Sequence, residues 1–162
     1  MAVDMFLKFD PEIKANATEK GHAGWIEVLS YSWGEAVPTA GGAGGGGRAG
    51  KVNMQDFHFT IRTSKASPEI FLSCATGKHF KSVQFDRLRG SGEGSIETIW
   101  KLEDVLISGY NVGGSEGGET QESCTLNFSL IGYKFQPYDE RTGKVDGGPV
   151  ETKYDYRKQQ KV

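Results

Sequence analysis

Phe57, Phe59 and Ile61 alternate with His58, Thr60 and Arg62, and an apolar set that repeats every second residue fits one buried face of a pleated strand and no helix. The same period recurs along most of the chain. In GWIEVLSYSWG, Leu29, Tyr31 and Trp33 oppose Ser30 and Ser32; in SIETIWKLEDVLISGYNV, Ile96, Thr98, Trp100 and Leu102 alternate; VETKYDYRK sets Tyr154 and Tyr156 against Lys153 and Asp155. Twice the phase changes. Val52 and Met54 lie on even positions before Phe57, and Cys124, Leu126, Phe128 and Leu130 give way to Ile131, Tyr133 and Phe135. A strand that changes its buried side mid-course either carries a bulge or leaves one sheet for another. These patterns predict a mostly β chain of about seven strands, an antiparallel β-barrel or two-sheet sandwich with one short α-helix and a long Gly-rich loop, as a single domain over residues 1–162.

The one helix expected is ASPEIFLSCATGK, with Ser67 placed to cap it, Pro68 at its first turn, Glu69 at the positive end of its dipole and Gly77 closing it. Ile70 and Cys74 share a face, with Phe71 beside them. Turns are expected at GSGEG, GGSEGG and YDERTGK.

Seven of the ten residues from Gly41 to Gly50 are glycine. Gly45 through Lys51 spells G-x-x-x-x-G-K, but the next residue, Val52, has no hydroxyl for Mg²⁺, and a strand pattern follows where a nucleotide-binding loop needs a helix. ATP or GTP binding is therefore not expected. GGSEG at 113–117 matches the nucleophile elbow of α/β hydrolases, yet no histidine follows Ser115 and its flanks are strands. His22, His58 and His79 lack the spacing of zinc ligands, and His58 belongs to the polar face of its strand. Catalysis, a metal and a cofactor are all unexpected. The net charge of −2 gives no basic field for nucleic acid, and MAVDMFLKFDPEIK is neither a secretory signal nor a membrane span. Cys74 and Cys124, in no C-x-x-C arrangement, read as free thiols of a protein made in the cytoplasm.

MAVDMFLKF, SYSWG, GGGGRAGKVNMQDFHFT, SPEIFLSCATGKHF, EDVLISGYNVGG, TLNFSLIGYKFQP and DGGPV, in this order across the chain, resemble the Hcp family, the haemolysin co-regulated proteins of type VI secretion systems. The resemblance implies a β-barrel flanked by one helix. It further implies six-membered rings that stack into the inner tube of a contractile injection machine, inside a sheath, tipped by a valine-glycine repeat spike protein and carrying small effectors in the lumen. Some members carry a C-terminal toxin domain, which is not expected after Val162. Export through the whole machine, without a signal peptide and without membrane insertion, follows from the same likeness. Ser30 and Ser32 suit a solvent face and a channel wall equally on their chemistry; the resemblance implies the wall.

Ordering the glycine run costs on the order of 10 kcal/mol, and it holds no large apolar side chain to offset this. Gly44, Gly45, Gly46, Gly47, Arg48 and Lys51 are accordingly expected to form an assembly element, ordered by contacts from a neighbouring subunit or a stacked ring. A different class of protein, a monomeric or dimeric β-sandwich binding module, would instead use Trp25, Tyr110 and Tyr138 as a ligand platform.

Overall fold

The structure, a computed structural model, describes residues 4–39, 50–89 and 95–162. Gly44 to Gly47, Arg48 and the expected GSGEG turn lie outside the described residues. The elements are β1 (Met5–Asp10), β2 (Ile26–Glu27), β3 (Ser30–Ser32), β4 (Glu35–Ala36), β5 (Asn53–Met54), β6 (Phe57–Arg62), α1 (Ser67–Thr76), β7 (His79–Leu88), β8 (Ile96–Gly113), β9 (Gln121–Asn127), β10 (Leu130–Phe135), β11 (Val150–Asp155) and β12 (Gln160–Lys161). All ladders are antiparallel. One path runs β12-β11-β10-β8-β7-β1-β2, and a second leaves β8 through β9 and β6 to β3. The mostly β fold with one helix is the one the alternation predicts. Among the described residues twelve strands replace the seven or so expected, because two-residue strands are too short to show an alternation.

The segment expected as one strand from Trp25 to Trp33 changes partner halfway. Val28 N–H donates to Met5 O (3.0 Å) and Leu29 N–H to Thr60 O (2.8 Å). Residues 26–32 thus lean first on β1 and then on β6, curling the sheet towards a barrel without closing the ladder. The first phase change read from the sequence is a move between sheets: among the described residues β5 pairs only with β4, in a separate ribbon, while β6 joins the main sheet. The second is a change of partners within one sheet, β9 pairing with β6 and β8 and β10 with β8 and β11.

A third phase change has no counterpart in the sequence reading. In β8 the buried residues are Thr98, Trp100 and Leu102, then Val105 and Ile107. Between them Asp104 adopts φ 54°, a left-handed conformation that Asp tolerates better than most residues because its short side chain bonds locally. Asp104 Oδ2 accepts from Ser129 Oγ at 2.9 Å at this corner. Asp104→Val, with a branched Cβ in that conformation, should cost about 1–2 kcal/mol. Asp104→Gly should cost less, and urea unfolding of the two variants checks the order.

The apolar faces meet in a core that includes Phe9, Phe57, Phe59, Phe80 and Phe85. Residues 11–25 cover one side of it. They are pinned by His22, 3% exposed and stacked on Phe6 with centroids 4.7 Å apart. Its Nδ1 lies 2.6 Å from Glu19 Oε2, and its Nε2 lies 2.8 Å from Oδ2 of the buried Asp86 on β7. Glu19 and His22 lie three residues apart and could have been paired from the sequence; Asp86 could not.

The helix forms where expected and ends at Gly77, with φ 66°. Its capping differs. Ser67 makes no cap bond to the helix; its Oγ accepts from Ser64 N–H (3.0 Å) and donates to buried Glu122 Oε2 (2.7 Å). Ala66, not Ser67, stands at the N-cap, so this hydroxyl lies one residue inside the helix start. Ile70 is buried and Cys74 half-buried as the shared face requires, but Phe71 points outward at 57% exposure. At the other end of the chain Asp155 is buried rather than on a polar face, its Oδ1 accepting from the N–H groups of Arg157 (2.9 Å) and Lys158 (3.1 Å).

Candidate assembly surface

The four strands β3, β6, β9 and the far half of β8 present one face of small polar side chains. In register, Ser30 faces Thr60, Ser123 and Asn111, and Ser32 faces His58, Thr125 and Gly109. The alternate positions, Tyr31, Phe59, Cys124 and Tyr110, point to the opposite side, so the period that buries one side necessarily presents the other. The polar side chains are bonded across the strands. Ser30 Oγ and Thr60 Oγ1 are 2.6 Å apart, His58 Nε2 and Ser123 Oγ 2.8 Å, and Ser108 Oγ and Thr125 Oγ1 2.9 Å. Ser108 Oγ also donates to Asp56 Oδ2 at 2.6 Å, and Asn127 Nδ2 to Asp56 Oδ1 at 3.0 Å. Gly109 keeps this network compact, since a Cβ there would lie 2.6 Å from Thr125 Oγ1.

Both edges of this four-stranded unit are open. Among the described residues β3 pairs only with β6, and β8 beyond Leu106 pairs only with β9. An open edge presents unpaired N–H and C=O groups, a template for another strand.

The sequence-derived residues fall as follows. Ser30 and Ser32 are exposed on the polar face. Lys51 is exposed beside Gly50, whose N–H donates to Pro38 O at 2.9 Å; its expected companions Gly44 to Gly47 and Arg48 are not among the described residues. Gly113 ends β8 and residues 114–117 lie in the connection to β9, with no histidine after them. Trp25, Tyr110 and Tyr138 rest on different neighbours: Trp25 packs on the Phe6, Ala17 and Leu88 cluster, Tyr110 beside Phe71, and Tyr138 donates to Ile96 O at 3.0 Å.

Beneath the polar face, Glu122 is 1% exposed and its Oε1 has no hydrogen-bond partner among the described residues. Burial, then this carboxylate, then Cys74 push the Cys124 thiol from 9.0 up to about 12. Desolvation first and Glu122 second push the Tyr110 hydroxyl from 10.0 up to about 12. The folded chain therefore holds these protons at pH values where the unfolded chain has released them. Stability should fall as pH rises from about 9 to about 12, which urea midpoints at pH 8 and 10.5 would show. Cys124 should stay silent to a thiol reagent at pH 8 until the protein unfolds.

Comparison with known proteins places the chain. Residues 6–135 match the family described as "Type VI secretion system effector, Hcp". Protein hcp1 of Pseudomonas aeruginosa is 41% identical over 165 residues, covering 100% of this chain and 99% of that protein. A solved structure described as a type six secretion system protein superposes with a TM-score of 0.92 at 25% identity, over 99% of this chain and 100% of the other. The crystal structure of Hcp1 from Salmonella typhimurium gives 0.80 at 26% identity, over the whole of both chains. The chain belongs to the Hcp family of type VI secretion system tube proteins.

Proposed function

We propose that this chain is the ring-forming subunit of the type VI tube. Six copies join side by side, the rings stack inside a contractile sheath behind a valine-glycine repeat spike protein, and small effectors travel in the lumen and leave with the tube on contraction. The observation that carries this reading is the four-stranded unit with two open edges and one polar face, several of whose hydroxyls are bonded across the strands. Edge-to-edge addition repeats that face around a ring. Small side chains such as Ser30 and Ser32 then line a channel without narrowing it, and hydroxyls already paired with one another grip a passenger weakly. The role is structural, and no catalytic step is assigned to it. Gly44 to Gly47, Arg48 and Lys51 act as an assembly element between copies, their cations meeting acidic side chains in salt-sensitive pairs. Assembly takes place in the cytoplasm, with export through the machine.

Light scattering on the purified chain tests the ring: a mass near six times 17.7 kDa, with ring-shaped particles in negative stain, is the expected result. A mass of one or two chains at micromolar concentration would favour the binding module instead.

A further inference from the structure

The strands that carry the polar face have an opposite side, and there the two open edges differ in shape. Along the β3 edge, Tyr31 and Trp33 lie opposite Ser30 and Ser32 and lead to Val37. Trp33 and Val37 line a groove of about 490 Å³ between the β4–β5 ribbon and the outer sheet, completed by Val52, Trp100, Tyr133 and Tyr154 among others. Val37 is 44% exposed and Tyr133 40%, and the buried Trp100 Nε1 has no acceptor among the described residues. Along the β8 edge apolar side chains project instead. Tyr110 and Val112 share the side opposite Asn111, and Phe71 of α1 sits 6.1 Å from Tyr110. Phe71 is 57% exposed, Leu72 52% and Val112 57%. An aromatic hollow at one edge and an apolar ridge at the other are exposed on the same chain, where isolated soluble proteins rarely leave such patches.

We infer that the ridge of Phe71, Leu72 and Val112 on one copy seats in the Trp33–Trp100–Tyr133 groove of the next. This rests on the ring reading and supplies its outer-layer contact. Pairing the β3 edge of one copy with the β8 edge of another puts the polar faces on one side and brings hollow and ridge together on the other, because side chains alternate along both strands. The charges agree. Lys161 lines the groove, and Glu116 lies in the turn beyond Val112; neither has an opposite charge within 4.0 Å among the described residues. The two patches are different surfaces, so the contact is head-to-tail, the type that closes into rings.

The experiment follows the mass of three proteins by light scattering. They are the parent, a ridge variant carrying Phe71→Asp and Leu72→Asp, and a groove variant carrying Val37→Asp and Tyr133→Asp. The ridge side chains are exposed, so circular dichroism and thermal melting of that variant should match the parent. Each variant alone should run at 17.7 kDa, and an equimolar mixture should run at twice that and no further, since only one intact ridge and one intact groove remain to meet. A folded ridge variant that still forms rings of parental mass overturns the inference and leaves the ring standing. A parent that stays monomeric overturns the ring reading and this contact with it.

Discussion

Phe57→Ala is expected to lower the unfolding free energy by about 3–5 kcal/mol. Phe57 is fully buried, with Tyr31 stacked on one side at 5.8 Å and Phe85 tilted against it at 5.6 Å. It stands on β6, the strand that links β3 to β9, where neighbours are held by ladders on both sides and cannot collapse into the space left. Domains commonly hold only about 5–15 kcal/mol in total, so the variant should melt roughly 10 °C lower and unfold at clearly less urea. Val145→Ala serves as the control, because Val145 is mostly exposed; a similar loss from both would show that burial is not the cause.

Asp86→Ala should cost about 3 kcal/mol or more, through a different term. Its carboxylate, 2% exposed, receives His22 Nε2 at one oxygen and Gln84 Nε2 at the other, 2.9 Å away. Removing it strands two polar partners, and a buried group without its partner costs more than the bond itself was worth. Asp86→Asn keeps an acceptor and should lose less. Glu19→Ala should lose least, because Glu19 is 24% exposed and water can take its place beside Nδ1. The damage should begin in residues 11–25. The N–H groups of Ala15 and Gly24, which bond to Gly24 O and Ala17 O at 2.8 and 2.9 Å, should exchange with solvent faster in Asp86→Ala before global stability is exceeded. Unchanged exchange there, with the loss spread evenly over the sheet, would contradict the pinning role.

Whatever depends on neighbours along the chain could be read from residue order. Alternation at Phe57, Phe59 and Ile61 identified β6 and its buried side, the phase change at residues 55–56 marked where the chain changes sheets, and the one at 130–131 marked where it changes partners within a sheet. Pro68 and Gly77 bracketed α1. The polar face holding Ser30 and Ser32 was legible for the same reason, as the complement of an apolar period. Family membership was legible too, because short motifs kept their order along the whole chain. What the tertiary structure decided were relations between distant residues, which no local period encodes. Asp86 reaches His22 across 64 positions, and Ser67 donates to Glu122 across 55. The bend at Asp104 depends on β8 serving β10 with one half and β9 with the other, an arrangement visible only once all three strands are paired. The groove and the ridge are of the same kind: Trp33, Trp100 and Tyr133 form one hollow only because three separate strand regions converge, and Phe71 becomes an exposed ridge only because Ile70 beside it takes the core. Periodicity tells which side of an element is buried, whereas packing alone decides what that side is buried against.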